Sequence, residues 1–139
     1  MNKTSFLLDT HAFIWVINGE STLAKKVLES INRAAKEKAV FISAISLWEI
    51  SMLVKKRKVI FDQPTLEWLS NGLQAPGMNL IPLTPNIAVE SCQLPGEFHG
   101  DPADRIIIAT ARIEGLTLVT RDQKILEYGK DHYVNTLRA

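Results

Sequence analysis

The sequence predicts an α/β sandwich built on a central parallel sheet. Two observations carry this expectation. Short apolar runs alternate with stretches of helical periodicity along the chain, and no linker, internal repeat or low-complexity segment interrupts them. Size agrees: 139 residues suit a single domain spanning 1–139. Folding at that length removes roughly two-thirds of the unfolded surface from water.

The elements follow in order. Ser5 to Leu8 reads as a buried strand, followed by a helix through His11–Asn18. Ser21 to Glu37 has helical composition, with Leu23, Val27, Leu28 and Ile31 at three- to four-residue spacing. Ala39–Ile42 is a second strand, after which Ser43 caps a helix from about Ala44 to Lys56. Gln63 or Pro64 opens another helix that ends near Pro76-Gly77. Asn79–Pro82 is a third strand, and a helix follows Thr84-Pro85. Leu94–Gly100, rich in Pro and Gly, is a loop. Asp101-Pro102 starts a helix running to about Glu114, Leu116–Thr120 is a fourth strand, and Asp122–Tyr128 is a short helix. His132–Val134 reads as the last strand. Right-handed crossovers then gather all strand C-termini on one edge, where α/β proteins bind ligands.

Composition narrows the function classes. The chain is 46% hydrophobic and 22% charged, as in ordinary globular domains. Its net charge of +1 excludes a global polycation, so any nucleic-acid affinity must be local. One cysteine, Cys92, cannot form an internal disulfide, and with only three histidines it argues against structural zinc. The apolar N-terminal run is broken by Asp9 and His11, which fits neither a signal peptide nor a membrane span. A cytoplasmic location is expected.

Four acids fall where this architecture converges. Asp9 ends the first strand in LLDTH, and Asp122 follows the fourth in LVTRD. Asp104, in DPADRIIIATA, shares a helical stripe with Ile107, Ile108 and Ala111, so its carboxylate points toward the core. Glu49, in SAISLWEISML, lies between Ile45, Met52 and Leu53 and also interrupts an apolar stripe. Core-facing acids are costly unless compensated. Two carboxylates about 4 Å apart repel by roughly 4 kcal/mol at an effective dielectric of 20. Protonation, a basic partner or a hard cation relieves that repulsion. Mg²⁺ or Mn²⁺ suits an all-oxygen donor set, and four acids without Cys or His ligands suggest metal-assisted phosphodiester hydrolysis.

Each residue also has a plainer reading. Asp9 or Thr10, Asp101 and Asp122 can cap the helices that follow them. Asp104 suits the positive end of a helix, and Glu49 can pair with a base. His11 and His99 read as capped or solvated side chains. Trp15, Trp48 and Trp68 occupy core-like helical positions and read as packing residues. Lys55, Lys56, Arg57 and Lys58 end a helix, where cations favour the macrodipole. The other reading of this run is a phosphate-contacting, RNA-binding patch.

Taken together, LLDTHAFIW, SAISLWEI, HGDPADRIIIATA and LVTRD resemble the PIN domain, in the VapC toxin group of toxin–antitoxin systems. The resemblance covers nearly the whole chain, in family order. It implies a three-layer α/β/α sandwich with about four to five parallel strands, a Mg²⁺ or Mn²⁺ site and endoribonuclease activity on RNA. It also implies inhibition by a cognate antitoxin and a symmetric homodimer. Carried over residue by residue, the catalytic and metal-holding quartet is Asp9, Glu49, Asp104 and Asp122. Thr120 matches a small hydroxyl residue that helps position the site, Thr10 is a second supporting residue, and Asp101 matches an extra acid of the subgroup with a DPxDR pattern.

Other classes use similar residues. A DNase or small-molecule phosphatase could employ the same carboxylates, and a non-catalytic RNA-binding adapter would use them as caps and ion pairs. A phospho-acceptor receiver domain also gathers acids at strand ends, but Glu49 deep in a helix disfavours it.

Overall fold

Five parallel strands pair in the order β3-β2-β1-β4-β5 in a computed structural model that describes residues 4–20 and 22–139. The strands are β1 (Phe6–Leu8), β2 (Val40–Ser43), β3 (Met78–Ile81), β4 (Thr117–Thr120) and β5 (Asn135–Arg138). The helices are α1 (Thr10–Asn18), α2 (Lys25–Lys36), α3 (Ala44–Lys55), α4 (Thr65–Leu73), α5 (Pro85–Cys92), α6 (Pro102–Glu114) and α7 (Gln123–Lys130). Among the described residues, no helix is long and apolar enough to cross a membrane.

Strand alternation builds the three layers. Successive side chains point to opposite faces of a strand. Phe6 and Leu8 therefore join one core with Phe13, Ile42, Ile50 and Trp68, while Leu7 joins a second with Ile107, Ile108, Leu118 and Ile125. The first core lies under α1, α2 and α4, and the second under α5, α6 and α7. Helix α3 touches both, through Ile50 on one side and Ile45 on the other. Each fully buried Phe, Leu or Ile contributes about 1.5–3 kcal/mol relative to exposure. Trp68 anchors the first core: it stacks on Phe61, with ring centroids 4.1 Å apart, and its indole N–H donates to Asn18 at 2.9 Å.

The chain runs β1, β2, β3 outward to one side, then crosses back to β4 and β5 on the other. The winding reverses between β1 and β4, which pair through Phe6↔Thr117 and Leu8↔Val119. Such a switch point leaves a crevice beyond the strand C-termini. Helix caps shape its rim. Asp9, Asp101 and Asp122 accept from the backbone N–H of Ala12, Asp104 and Ile125, respectively. Arg105 ties down the 93–100 loop, donating to the carbonyls of Ser91 and Phe98, and so fixes the start of α6. On the far side, Gly77 turns into β3 at φ +78°, and a Cβ there would lie 2.1 Å from the Ala35 carbonyl oxygen.

Three expectations need correction. Helix α2 begins at Lys25, because Ala24 is extended and offers no side-chain cap; Ser21 lies outside the described residues. The last strand is Asn135–Arg138 rather than His132–Val134. His132 sits at φ +64°, which breaks an extended chain, and the register Thr117↔Asn135 sets where pairing starts. Trp48 is not a packing residue: it is 58% exposed, on the face of α3 opposite buried Ser46 and Ile50. Trp68 is buried as expected, and Trp15 is half-buried at the edge of the crevice.

Candidate metal centre

The crevice at the switch point is lined by all five acids: Asp9, Glu49, Asp101, Asp104 and Asp122. Asp9 and Asp122 arrive on the ends of β1 and β4, Asp101 and Asp104 on the first turn of α6, and Glu49 from the second turn of α3. Carboxylate oxygens of Glu49, Asp101 and Asp104 all lie within 4.8 Å of one another. This trio is the tightest grouping among the described residues, and Asp9 and Asp122 line the same crevice.

Two buried threonines set the acids' orientation. Thr120, at the end of β4, donates its hydroxyl to Asp9 Oδ2 at 2.5 Å and accepts from the backbone N–H of Asp122 at 3.0 Å. One side chain thereby registers both strand-end acids. Thr10 donates to Glu49 Oε1 at 2.5 Å, and its oxygen lies 3.0 Å from the Ser46 hydroxyl. Both threonines and Ser46 are buried, so these bonds compete little with water.

Asp104 differs from the other acids. Asp9, Asp101 and Asp122 cap helices, and Glu49 accepts from Thr10. The Asp104 carboxylate makes no hydrogen bond among the described residues. Burial, followed by the charges of Asp101, Asp122, Glu49 and Asp9, pushes its pKa up to about 7. Burial also raises Glu49, against the hydrogen bond from Thr10, with Asp101 adding to the rise. Asp9 is raised by burial too, although its bonds from Thr120 and Ala12 pull the other way. Stripe phase predicts the side of α6 on which Asp104 stands, with Ile107, Ile108 and Ala111 buried beside it.

These shifts make a prediction for the metal-free protein. A carboxyl raised on folding binds more protons folded than unfolded, so its contribution is full below the ordinary value near 3.8 and lost as pH rises through about 7. Asp104→Asn removes the titration. The variant should melt at a higher temperature than the parent above pH 7, with the gap closing as pH falls to 4. Thermal melts in chelator across that range test this, and a pH-independent gap would contradict it.

The crevice also holds a cation that sequence reasoning passed over. Arg121, within the LVTRD motif, lines it together with His11 and Trp15. Its guanidinium lies 4.6 Å from the Trp15 ring centroid and donates to the carbonyls of Thr22 and Ala139. The only signal in sequence was a lone Arg beside a candidate acid. His99 is exposed, 3.5 Å from Glu97, and does not line the crevice. Lys55, Lys56, Arg57 and Lys58 are all exposed; Lys56 and Lys58 line a cleft that adjoins Glu49 and Asp101.

An all-oxygen donor set, crowded carboxylates and one acid without a protein partner fit a hard divalent cation. Comparison with known proteins points the same way. The PIN domain family matches residues 6–131. Ribonuclease VapC22 from Mycobacterium tuberculosis is 33% identical over 122 residues, covering 88% of this chain and 90% of that protein. Solved structures of similar fold include VapBC2 from Rickettsia felis bound to a promoter DNA fragment, with TM-score 0.72, 20% identity and 98% and 99% of the two chains covered. DNA-bound VapBC from Salmonella typhimurium gives TM-score 0.69 at 19% identity, covering 97% and 98%. Motifs, topology and acidic crevice thus converge, and the chain belongs to the PIN domain family.

Proposed function

We propose that this chain, as a single domain over 1–139, is a metal-dependent endoribonuclease and the toxin of a toxin–antitoxin pair. The observation that carries this reading is Asp104. Capping accounts for Asp9, Asp101 and Asp122 in an inert adapter, but it does not account for a half-buried carboxylate facing four others with no protein partner. The identity to a named VapC ribonuclease over most of both chains supports the substrate class, and the VapBC complexes among the structural relatives support an antitoxin partner.

In this reading Asp9, Glu49, Asp104 and Asp122 hold Mg²⁺ or Mn²⁺, with Asp101 completing the negative wall. When bound, such a cation lowers the pKa of a coordinated water and stabilises charge developing on a phosphate oxygen. The protein's own part is orientation. Thr120 keeps Asp9 and Asp122 in register, Thr10 and Ser46 aim Glu49, and the Asp101 cap fixes the turn that presents Asp104. Pre-set ligands need little rearrangement when metal and substrate arrive. The raised carboxyls also make metal occupancy pH-dependent, because ligands must lose their protons to bind. A cytoplasmic location and a homodimer belong to the same reading.

Induction of the chain alone in its native host should arrest growth, and co-expression of the cognate antitoxin should restore it. Growth counts with active protein verified in the extract test this. Normal growth under those conditions would contradict the toxin assignment.

A further inference from the structure

The acidic crevice continues past Glu49 and Asp101. The same two residues form one end of a second cleft, of about 260 Å³, along α3, lined also by Trp48, Met52, Lys56 and Lys58. Trp48, Met52 and Lys56 follow at four-residue spacing and so stand above one another on one face of the helix. Glu49 and Lys56 are separated by about 10 Å of helix at 1.5 Å per residue. Trp48 and Glu49 are consecutive, so the acidic end of the cleft is also its aromatic end, with Met52 between it and the cationic end at Lys56.

Leaving an indole 58% exposed at this position forgoes burial that α3 gives to residues on its opposite face. An exposed aromatic and lysines lining one cleft are the combination by which proteins hold single-stranded nucleic acid: the ring stacks a base and the cations track the backbone. Trp48, Met52 and Leu53 would also receive the apolar face of a partner helix, but the two lysines in the same cleft favour a polyanion. With a net charge of only +1, the chain needs such a local patch to attract a polyanion.

We infer that this cleft is a nucleotide subsite for single-stranded RNA, in which a base stacks on Trp48 and neighbouring phosphates meet Lys56 and Lys58. The strand then leads its scissile phosphate to the acids. The inference rests on the ribonuclease reading and adds the residues that position its substrate. It also divides the basic run, since Lys55 and Arg57 do not line the cleft.

The test is binding of a fluorescent single-stranded RNA oligonucleotide, with Asp104→Asn as background to prevent cleavage. Trp48→Ala should weaken binding by roughly 5- to 150-fold, the range for losing one base–aromatic stack, and Trp48→Phe should restore most of it. Replacing Lys56 and Lys58 together by Gln should lower the log–log salt slope by about 0.7 per lost contact. With Asp104 intact, Trp48→Ala should raise KM more than it lowers kcat. If RNA affinity is unchanged in Trp48→Ala while the unmodified chain still cleaves RNA, the subsite is wrong and the nuclease reading stands. Loss of antitoxin binding alone in that variant would assign the cleft to the protein partner and overturn the inference. Failure of the unmodified chain to bind or cleave RNA would overturn both.

Discussion

Replacing Asp104 by Asn is expected to abolish RNA cleavage while leaving the fold intact. Asn keeps the shape of the side chain but removes the charge, and the lost carboxylate belongs to the tightest acidic trio. The loss should exceed the roughly 10- to 100-fold typical for outer partners of a metal site. No helix cap depends on this side chain, so the variant should be at least as stable as the parent. Asp101 supplies the contrast, because its carboxylate both caps α6 and joins the trio. Asp101→Ala removes the cap and should cost on the order of 1 kcal/mol. Asp101→Asn caps almost equally well, so it should retain stability and lose only the acid's contribution to the site. Thermal melts with cleavage assays at saturating metal separate these roles. Near-parent turnover in Asp104→Asn, alongside a dead but stable Asp101→Asn, would transfer the central role to Asp101.

How far the sequence reveals this site depends on which contacts hold each residue. Asp9 and Asp122 follow apolar strands directly, so parallel topology alone brings them to one edge. Asp104 and Glu49 stand out because each interrupts an apolar stripe. The starts of four helices were legible from their caps, Ser43, Thr84, Asp101 and Asp122. Trp48 was not legible. Helix α3 reads AISLWEISMLVK, with apolar residues on nearly every face, so periodicity does not reveal which face meets solvent. Only packing against α1, α4 and α6 decides that. The Trp15–Arg121 contact joins residues distant in sequence and leaves no local pattern. The last strand was displaced because Tyr133 and Val134 look strand-like, yet they pack into the second core before pairing begins. Asp101 carried two readings, cap and site acid, and the structure shows one carboxylate serving the helix while facing Glu49 and Asp104.

Removing divalent metal is the other change with a large expected effect. Five acids share one crevice with Arg121 as its only permanently charged cation among the described residues. Burial first, and then the charges of Asp101, Asp122, Glu49 and Asp9, raise Asp104 to about 7, so without a bound ion this carboxyl holds its proton into the neutral range. Without the cation, nothing in the acidic crevice activates a water or stabilises charge developing on the phosphate. Binding a divalent ion to the folded state should also raise the melting temperature, increasingly so as its concentration passes the dissociation constant. The most direct measurement is cleavage of single-stranded RNA by the purified chain in chelator, then with Mg²⁺ or Mn²⁺ added back, alongside Asp104→Asn. The account predicts no cleavage in chelator, recovery on adding either ion, and no recovery in the variant. Cleavage by the parent chain that persists through thorough chelation, with contaminating nuclease excluded, would contradict it.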